Sequence, residues 1–329
     1  MTLPVDFAVL KRSFARDLEL DDRKPKTITV YTGALDEFGE YLDQLPAKPV
    51  KEDGAVIIPA GVATMEGVTK AHVRGFLGWL RQRGSKYTDH RKGQPLSQSY
   101  INNLYRGLQA FWKWMVTEDY IGEERNPMIG VPRPKVDEVP VPVIADDIHK
   151  ALLGTCGKGR RRPYKDIRDE AILRVLGDCG VRISELMFTL DDIDPKTCTI
   201  RVTGKAGKQR DVHYLSRTAK AIDFYLLERA RHPKANQTNA FWLGDRGKMT
   251  TSGLYQVVVR RAKMIDAKIH PHQFRHTAAH KHSLKEGTPT SLMRLMGWSS
   301  PTMVHRYGAS AADYRAREEH RRLAVGDEF

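Results

Sequence analysis

Four prolines near the middle of the chain constrain its fold more than any other feature. They occur in Val131-Pro-Arg-Pro134 and in Val139-Pro-Val-Pro142. Because proline lacks an amide hydrogen and fixes its own φ angle, this stretch can hold neither a helix nor a central strand, and it is expected to form a semi-rigid linker. A chain of 329 residues can bury more than one core. The sequence therefore predicts two domains, residues 1–132 and 143–329, joined by a linker at 133–142.

Before the proline-rich stretch, apolar residues recur at the spacing of amphipathic helices. The clearest periods are Tyr31, Leu35, Phe38 and Leu42 after a candidate cap at Thr27; Val73, Phe76, Leu77 and Leu80 after Thr69; and Ile101, Leu104, Leu108, Phe111 and Met115 after Ser97. Apolar residues three and four apart share one face of a helix. These periods predict a small helical bundle, with the aromatic residues in its core.

The chain carries a strong positive charge. Its 54 lysine and arginine residues against 40 acidic residues give a formal net charge of +14. A charge of this sign attracts polyanions and predicts a nucleic-acid partner. A dense basic cluster contains Lys158, Arg160, Arg161, Arg162, Lys165 and Arg168, with only Asp166 opposing it. Contact between this cluster and DNA phosphates is one interpretation, and a merely solvated surface is the other.

The cysteine content and the distribution of apolar residues indicate a cytoplasmic location. Cys156, Cys179 and Cys198 are too few for a disulfide framework, and Cys179 lies within an apolar helical run that places it in the core. No apolar stretch approaches the length of a membrane span, and the amino terminus lacks the pattern of a secretory signal. We expect an intracellular, reduced protein that has no membrane partner. The sequence also has no glycine loop that would cradle phosphates, so no nucleotide cofactor is expected.

A buried helix is predicted in the first part of the second domain. Ala171, Ile172, Val175 and Leu176 are spaced as a buried helical run that ends between Gly177 and Gly180. Arg182 follows at the point where this helix breaks. A planar guanidinium matches the oxygens of a phosphate, so Arg182 is a candidate for stabilising charge on a phosphoryl group.

A β-hairpin is predicted between residues 199 and 214. The segments Thr199-Ile-Arg-Val-Thr203 and Gln209-Arg-Asp-Val-His-Tyr214 alternate like strands, and Gly204-Lys-Ala-Gly-Lys208 between them has the composition of a mobile turn. Lys205 at the tip of such a turn can be delivered to a scissile phosphate. Lys208 joins Arg160, Arg161, Arg162 and Lys165 as a candidate DNA contact.

The last third of the chain completes a set suited to phosphoryl transfer. His272 and Arg275 lie one turn apart on one face if their segment is helical, so both can reach one phosphate. Trp298 and Tyr307 follow, nine residues apart. Two arginines around one phosphate stabilise a pentacovalent phosphorane, and a tyrosine can serve as the nucleophile.

In this order of motifs the chain resembles the tyrosine recombinase family, the phage integrase class. The matching positions are Arg182 with Glu185, Lys205, His272-x-x-Arg275, Leu295-Met-Gly-Trp298 and Tyr307, and the resemblance covers roughly residues 140 to 315. Most members carry histidine where this chain has Trp298, but an indole N–H can still donate to a phosphate oxygen.

The resemblance implies a mainly α fold with a small antiparallel sheet, arranged as a two-domain clamp. Residues 1–132 would be a helical, SAM-like core-binding domain, and 143–329 an α+β catalytic domain with a carboxyl-terminal tail. The segment from Pro46 to Gly67 is either a flap that touches DNA or a surface loop. The segment from Ala312 to Leu323 would dock on a neighbouring protomer or remain a solvated tail. About 25 residues precede the first predicted helix, too few for a separate arm-binding domain.

The resemblance also implies a mechanism without metal or other cofactor. Tyr307 would attack the scissile phosphate and form a 3′-phosphotyrosyl intermediate, with His272 accepting its proton and Lys205 protonating the leaving 5′-oxygen. Arg182, Arg275 and Trp298 would stabilise the developing charge. Glu185 would orient Arg182 or His272.

The implied partners are double-stranded DNA attachment sites and further copies of this chain. The family acts as a homo-tetramer on synapsed DNA and passes through a Holliday junction, and the free protein would be a monomer or dimer. An accessory directionality factor is left open. The favoured function is phage or mobile-element integration and excision.

Several alternatives remain at the level of the sequence. A host chromosome-dimer resolvase of the same family, a type IB topoisomerase and a catalytically silent DNA-binding regulator all fit parts of the pattern. A zinc-dependent hydrolase would draw on the histidines His270, His272, His276, His280 and His282. Tyr314 competes with Tyr307 as the nucleophile, although its distance from Trp298 does not fit the pattern.

Overall fold

The computed structural model describes residues 4–52, 55–86, 92–136, 142–159, 161–204, 207–285, 287–304, 316–317 and 319–323. The chain divides into two compact units, Met1–Glu138 and Val139–Phe329. None of the described helices is both long enough and apolar enough to span a membrane.

The first unit is built from helices and one short hairpin. Its elements are α1 (Phe7–Leu20), α2 (Pro25–Asp43), β1 (Val50–Glu52), β2 (Ala55–Ile58), α3 (Lys70–Gln82) and α4 (Gln98–Thr117), and β1 pairs with β2 in antiparallel fashion. Thr69 and Ser97 directly precede α3 and α4, and the Ser97 hydroxyl accepts a hydrogen bond from the Tyr100 amide at 3.2 Å, so both predicted caps are confirmed. The predicted cap at Thr27 is wrong, because Pro25 already occupies the first helical position, where its missing amide hydrogen costs nothing.

The core of the first unit is aromatic, as the helical periods predicted. The rings of Phe38 and Phe76 meet edge to face at 5.1 Å, and those of Phe14 and Phe111 at 5.4 Å. Phe14 belongs to α1, a helix that the sequence reasoning did not predict. The helix buries Phe7, Leu10, Phe14 and Leu18 along one face and is anchored where Asp17 accepts a hydrogen bond from the Trp114 indole at 3.0 Å.

Part of the segment from Pro46 to Gly67 packs onto its own unit. Met65 is fully buried, and its amide donates to the Asp6 carboxylate at 2.9 Å. The Ala60 carbonyl lies 2.8 Å from Nε2 of His72. These contacts fix the second half of the segment, while Val50 and Ile58 in its hairpin are exposed.

The second unit combines helices with small antiparallel sheets. Its elements are α5 (Asp146–Gly154), α6 (Tyr164–Cys179), β3 (Ile193–Asp194), β4 (Thr199–Thr203), β5 (Gln209–His213), α7 (Ser216–Ala230), β6 (Leu243–Gly244), β7 (Gly247–Lys248), α8 (Thr251–Lys263), α9 (Pro271–Leu284) and α10 (Pro289–Met296). Strands β3, β4 and β5 form one sheet in that order, and β6 pairs with β7. The predicted fold class, mainly helical with a small antiparallel sheet, is confirmed.

Helix α6 forms the centre of the second unit. Its residues Ala171, Ile172, Val175 and Leu176 are fully buried, and the helix packs against α7 and α9. The predicted buried helix is therefore confirmed, and its last residue, Cys179, is in the core as expected. This arrangement fixes the point at which the chain leaves α6, three residues before Arg182.

The basic cluster between residues 158 and 168 does not form one continuous charged face. Arg161 and Lys165 are exposed, whereas Arg168 is buried and donates to the Asp169 carboxylate and to the Leu243 carbonyl. The Arg162 guanidinium pairs with Glu170 at 2.8 Å and donates to the Cys156 carbonyl at 2.9 Å. The side chains of Arg168 and Arg162 therefore serve the interior of the unit, because a buried guanidinium needs a carboxylate or carbonyl partner.

Candidate active site

The end of helix α6 sets the position of Arg182. Gly180 adopts a left-handed conformation with a φ of 59° and ends the helix. A Cβ atom there would lie 2.9 Å from Cε of Met296 and 3.0 Å from Cβ of Ala278. Only glycine fits both the backbone conformation and this close approach. The chain then enters a short 3₁₀ turn, Ile183–Leu186, which Arg182 precedes.

Glu185 in this turn binds two arginines. Its carboxylate is 2% exposed and accepts from the Arg182 amide at 2.8 Å and from Nη1 of Arg182 at 2.7 Å. Nη1 and Nη2 of Arg210 donate to its two oxygens at 3.0 and 2.9 Å. Burial alone would raise the pKa of Glu185, but the hydrogen bonds and charges of Arg210 and Arg182 outweigh it and hold the pKa below its ordinary value. The carboxylate is therefore ionised at neutral pH.

Arg210 is a site residue that the sequence reasoning missed. It lies on β5 two residues before the buried Val212, so it belongs to the inward-facing positions of that strand. An arginine on an inward face needs a buried acceptor, and this was the available signal. Besides binding Glu185, Arg210 donates from Nε to the Leu295 carbonyl at 3.2 Å, so its side chain links β5 to the end of α10.

Arg275 lies beneath Trp298. It is 1% exposed, and its guanidinium donates to the Gly180 carbonyl at 3.0 Å and to the Met296 carbonyl. The centre of the guanidinium is 5.4 Å from the centroid of the Trp298 ring. Arg275 therefore joins the end of α6 to the end of α10, as a charge enclosed by the protein.

His272 lies one turn before Arg275 on α9. Its ring meets that of His276 edge to face at 4.7 Å. Desolvation of the ring, followed by the positive charges of Arg275 and Arg182, lowers the pKa of His272 below its ordinary value. The imidazole is therefore neutral at pH 7 and able to accept a proton. Arg275 binds the Gly180 carbonyl two residues before Arg182, so the three predicted residues lie near one another.

Trp298 follows a second left-handed glycine, Gly297, whose φ is 63°. The indole is 7% exposed and packs with Leu292 and Met296 of α10 and with Ala279 of α9. Its amide donates to the Met293 carbonyl at 2.9 Å. The turn that carries Trp298 is thus part of a small apolar cluster beside Arg275.

The strands of the predicted hairpin are confirmed, but its tip is not described. Thr203 pairs with Gln209, and the Gly204 amide donates to the Lys208 carbonyl at 2.7 Å. Lys208 is exposed next to the turn. Lys205, Tyr307, Tyr314 and Arg160 lie outside the described residues. In the segment from Ala312 to Leu323, residues 316–317 and 319–323 are helical.

The histidines of α9 were the basis for the zinc alternative. Within the described part of the chain, no three histidine, cysteine, aspartate or glutamate side chains are arranged to hold a metal ion. His276 instead packs against His272, and His280 has a pKa lowered by desolvation and by the neighbouring Lys281.

Comparison with known proteins identifies the family. The model of the phage integrase family matches residues 144–313, more than half of the chain. The chain belongs to the phage integrase family. It is a tyrosine recombinase, as the motif order predicted. Tyrosine recombinase XerC of Oceanobacillus iheyensis is 27% identical over 320 residues, covering 92% of each chain. Tyrosine recombinase XerD of Corynebacterium glutamicum is 28% identical over 263 residues, covering 77% of this chain and 82% of the relative.

Solved structures of recombinases share the fold. The Tn1549 transposon integrase in complex with transposon right end DNA has a TM-score of 0.63 and 20% identity, covering 96% of this chain and 99% of that one. The XerH site-specific recombinase bound to palindromic difH substrate has a TM-score of 0.66 and 16% identity, covering 91% of this chain and 80% of that one. A lambda integrase tetramer bound to a Holliday junction has a TM-score of 0.60 and 14% identity, covering 90% and 78%.

Proposed function

We propose that this tyrosine recombinase cleaves and rejoins double-stranded DNA at specific sites through a 3′-phosphotyrosyl intermediate on Tyr307. The free 5′-hydroxyl of a partner strand then attacks this intermediate, and two such exchanges pass through a Holliday junction. The observation that carries the proposal is the grouping of Arg182, His272 and Arg275: Arg275 binds the Gly180 carbonyl two residues before Arg182, and His272 lies one turn before Arg275 on α9. Such a group suits a phosphate that gains negative charge while a tyrosine loses its proton.

The two arginines would contribute in different ways. The Arg182 side chain is 34% exposed and uses Nη1 to bind Glu185, so its other N–H donors can face a phosphate of the DNA. Arg275 is enclosed and bound to the Gly180 and Met296 carbonyls, and in this arrangement it acts through its charge. Loss of one donor to the transition state costs about 3 kcal/mol, or roughly a hundredfold in rate.

Proton transfer would involve His272 and Lys205. A free tyrosine has a pKa near 10, so attack at neutral pH needs a neutral base and nearby positive charge. His272 offers the base, because its pKa is lowered by desolvation and by Arg275 and Arg182. Lys205 would protonate the leaving 5′-oxygen. No step in this scheme requires a metal ion or a nucleoside triphosphate.

The proposed partners are a DNA duplex carrying the attachment site and other copies of the chain. The complexes of XerH with difH substrate and of the lambda integrase tetramer with a Holliday junction support this assembly by likeness of fold. Residues 1–132 would serve as the core-binding domain, 133–142 as the linker and 143–329 as the catalytic domain. The exposed Arg161, Lys165 and Lys208 remain candidates for phosphate contact.

We favour integration and excision of a mobile element as the biological role. The support is the Tn1549 transposon integrase in complex with transposon right end DNA, which covers almost all of both chains. A second role, resolution of chromosome dimers, is favoured by relatives named XerC and XerD. Mapping of the bound sites separates them, because an integrase binds one site on the element and one on the host, whereas a resolvase binds a site on the chromosome alone.

The experiment starts from fragments of the source genome enriched by binding to the protein. The enriched site is then built into a suicide duplex with a nick beside the cleavage position and incubated in chelator. Wild type and Tyr314→Phe are expected to form a covalent adduct, and Tyr307→Phe is expected to form none. An adduct with Tyr307→Phe would overturn the assignment of the nucleophile. Relaxation of supercoiled plasmid without any exchange between two sites would favour the topoisomerase instead.

A further inference from the structure

Arg210 occupies a central position among the proposed catalytic residues although it is not one of them. Each of its three guanidinium nitrogens donates a hydrogen bond within the protein: Nη1 and Nη2 to Glu185, and Nε to the Leu295 carbonyl. Its side chain is 15% exposed. With all three nitrogens bound and little surface exposed, Arg210 is poorly placed to bind DNA itself.

The geometry couples Arg210 to Arg182 through one carboxylate. Oε1 of Glu185 accepts from both Arg210 and Arg182, at 3.0 and 2.7 Å. The two parallel hydrogen bonds from Arg210 fix the plane of the carboxylate, because a guanidinium fork binds both oxygens at once. Lysine has the same charge but cannot form this fork. The orientation of Arg182 therefore depends on the arginine at position 210.

The third hydrogen bond of Arg210 couples it to the turn that carries Trp298. Leu295 lies three residues before Trp298, and the intervening Gly297 packs against Arg210, since a Cβ at Gly297 would lie 3.1 Å from Cδ and Nε of Arg210. Arg210 thus holds two separate parts of the candidate site, the turn after α6 and the turn after α10.

We propose that Arg210 is a positioning residue of the strand-cleavage reaction. Its hydrogen bonds to Glu185 orient Arg182, and its hydrogen bond to the Leu295 carbonyl holds the turn before Trp298. Arg182 and Trp298 are thereby positioned to stabilise the negative charge that develops on the nonbridging phosphate oxygens. This role rests on the proposed function and adds to it a residue that acts through others. It acts on the transition state and leaves the affinity for DNA unchanged.

The test compares Arg210→Lys with Arg201→Lys. Arg201 lies on the neighbouring strand β4, where its exposed side chain pairs with Asp211 at 3.4 Å. Arg201→Lys therefore makes the same chemical change in the same sheet, but on the side that faces solvent. The measurements are the single-turnover cleavage rate and the dissociation constant on the suicide duplex described above. Since small errors of position cost on the order of a hundredfold in rate, Arg210→Lys is expected to cleave about a hundredfold more slowly. Its dissociation constant and both constants of Arg201→Lys are expected to stay within about threefold of wild type, because each change keeps the charge.

Two modified substrates identify the part of the reaction that Arg210 serves. A methylphosphonate replaces one charged nonbridging oxygen by a methyl group, so it needs less stabilisation by arginine. A 5′-bridging phosphorothiolate supplies a leaving group that needs no protonation, so it bypasses the acid of the reaction. The loss of cleavage rate in Arg210→Lys is expected to shrink to about tenfold or less on the methylphosphonate, because this substrate depends less on stabilisation of the oxyanion. On the phosphorothiolate the full loss of rate is expected to persist.

Several results would overturn the inference. Equal cleavage by Arg210→Lys and wild type, a loss of affinity that matches the loss of rate, or rescue by the phosphorothiolate alone would each do so. If Arg210→Lys does not fold, Glu185→Gln replaces it, and the same pattern across the three substrates is required. A wild-type protein that cleaves none of these duplexes would instead overturn the proposed function, and the inference with it.

Discussion

Asp169 is expected to stabilise the folded second unit. It is fully buried and accepts hydrogen bonds from Arg168 at 2.7 and 3.0 Å, from Arg260 at 2.9 Å and from Arg261 at 2.9 Å. Arg168 and Arg261 are themselves buried. Replacement of Asp169 by Asn keeps the shape of the side chain but removes the carboxylate partner of the buried Arg168, while Arg261 keeps its pair with Asp166. Removal of one partner from a buried ion pair costs about 3 to 5 kcal/mol.

This loss can be measured by calorimetry of the full chain. For a unit of about this size, 1 kcal/mol shifts the midpoint by roughly 2 to 4 °C, so Asp169→Asn is expected to lower the transition of the second unit by about 6 to 20 °C. The matched control is Asp211→Asn, which removes an exposed pair with Arg201 at 3.4 Å. Exposed pairs contribute about 0 to 1 kcal/mol, so the control should move the midpoint by less than about 4 °C. Equal shifts for the two variants would refute the argument.

Three further predictions concern the candidate site. Gly180→Ala places a Cβ against Met296 at a residue with left-handed backbone conformation and should lower the free energy of unfolding by about 1 to 3 kcal/mol. Urea denaturation measures this loss. The control is Gly154→Ala, whose added Cβ meets no neighbour within 4 Å. Cleavage requires neutral His272, whose pKa is lowered by desolvation, Arg275 and Arg182. The midpoint of the fall in single-turnover rate on acidification should therefore lie below the ordinary histidine pKa of about 6.5, and a midpoint above that value would contradict this. Trp298→Phe loses the indole donor and should cleave about a hundredfold more slowly, whereas Trp298→His, which restores a donor, should recover most of the rate.

Local sequence determined the elements that depend on neighbouring residues. The apolar run of α6, the alternation of β4 and β5, and the caps at Thr69 and Ser97 were all readable, because helix and strand periodicity and capping act over a few residues. The order of the motifs was enough to predict the family. Phe7, Leu10, Phe14 and Leu18 of α1 also have helical spacing in the sequence, and α2 begins at Pro25 and not after Thr27.

Tertiary structure decided which acceptors the inward-facing charges bind. Arg168 and Arg162 stand in a basic run that looks uniform in sequence, but one binds Asp169 and the other Glu170. Arg210 lies 25 residues from Glu185 and 85 from Leu295, and Arg275 lies 95 residues from Gly180. Sequence reasoning from local patterns cannot supply the distant pairs of Arg210 and Arg275, because those charges bind acceptors that only the packed fold brings to them.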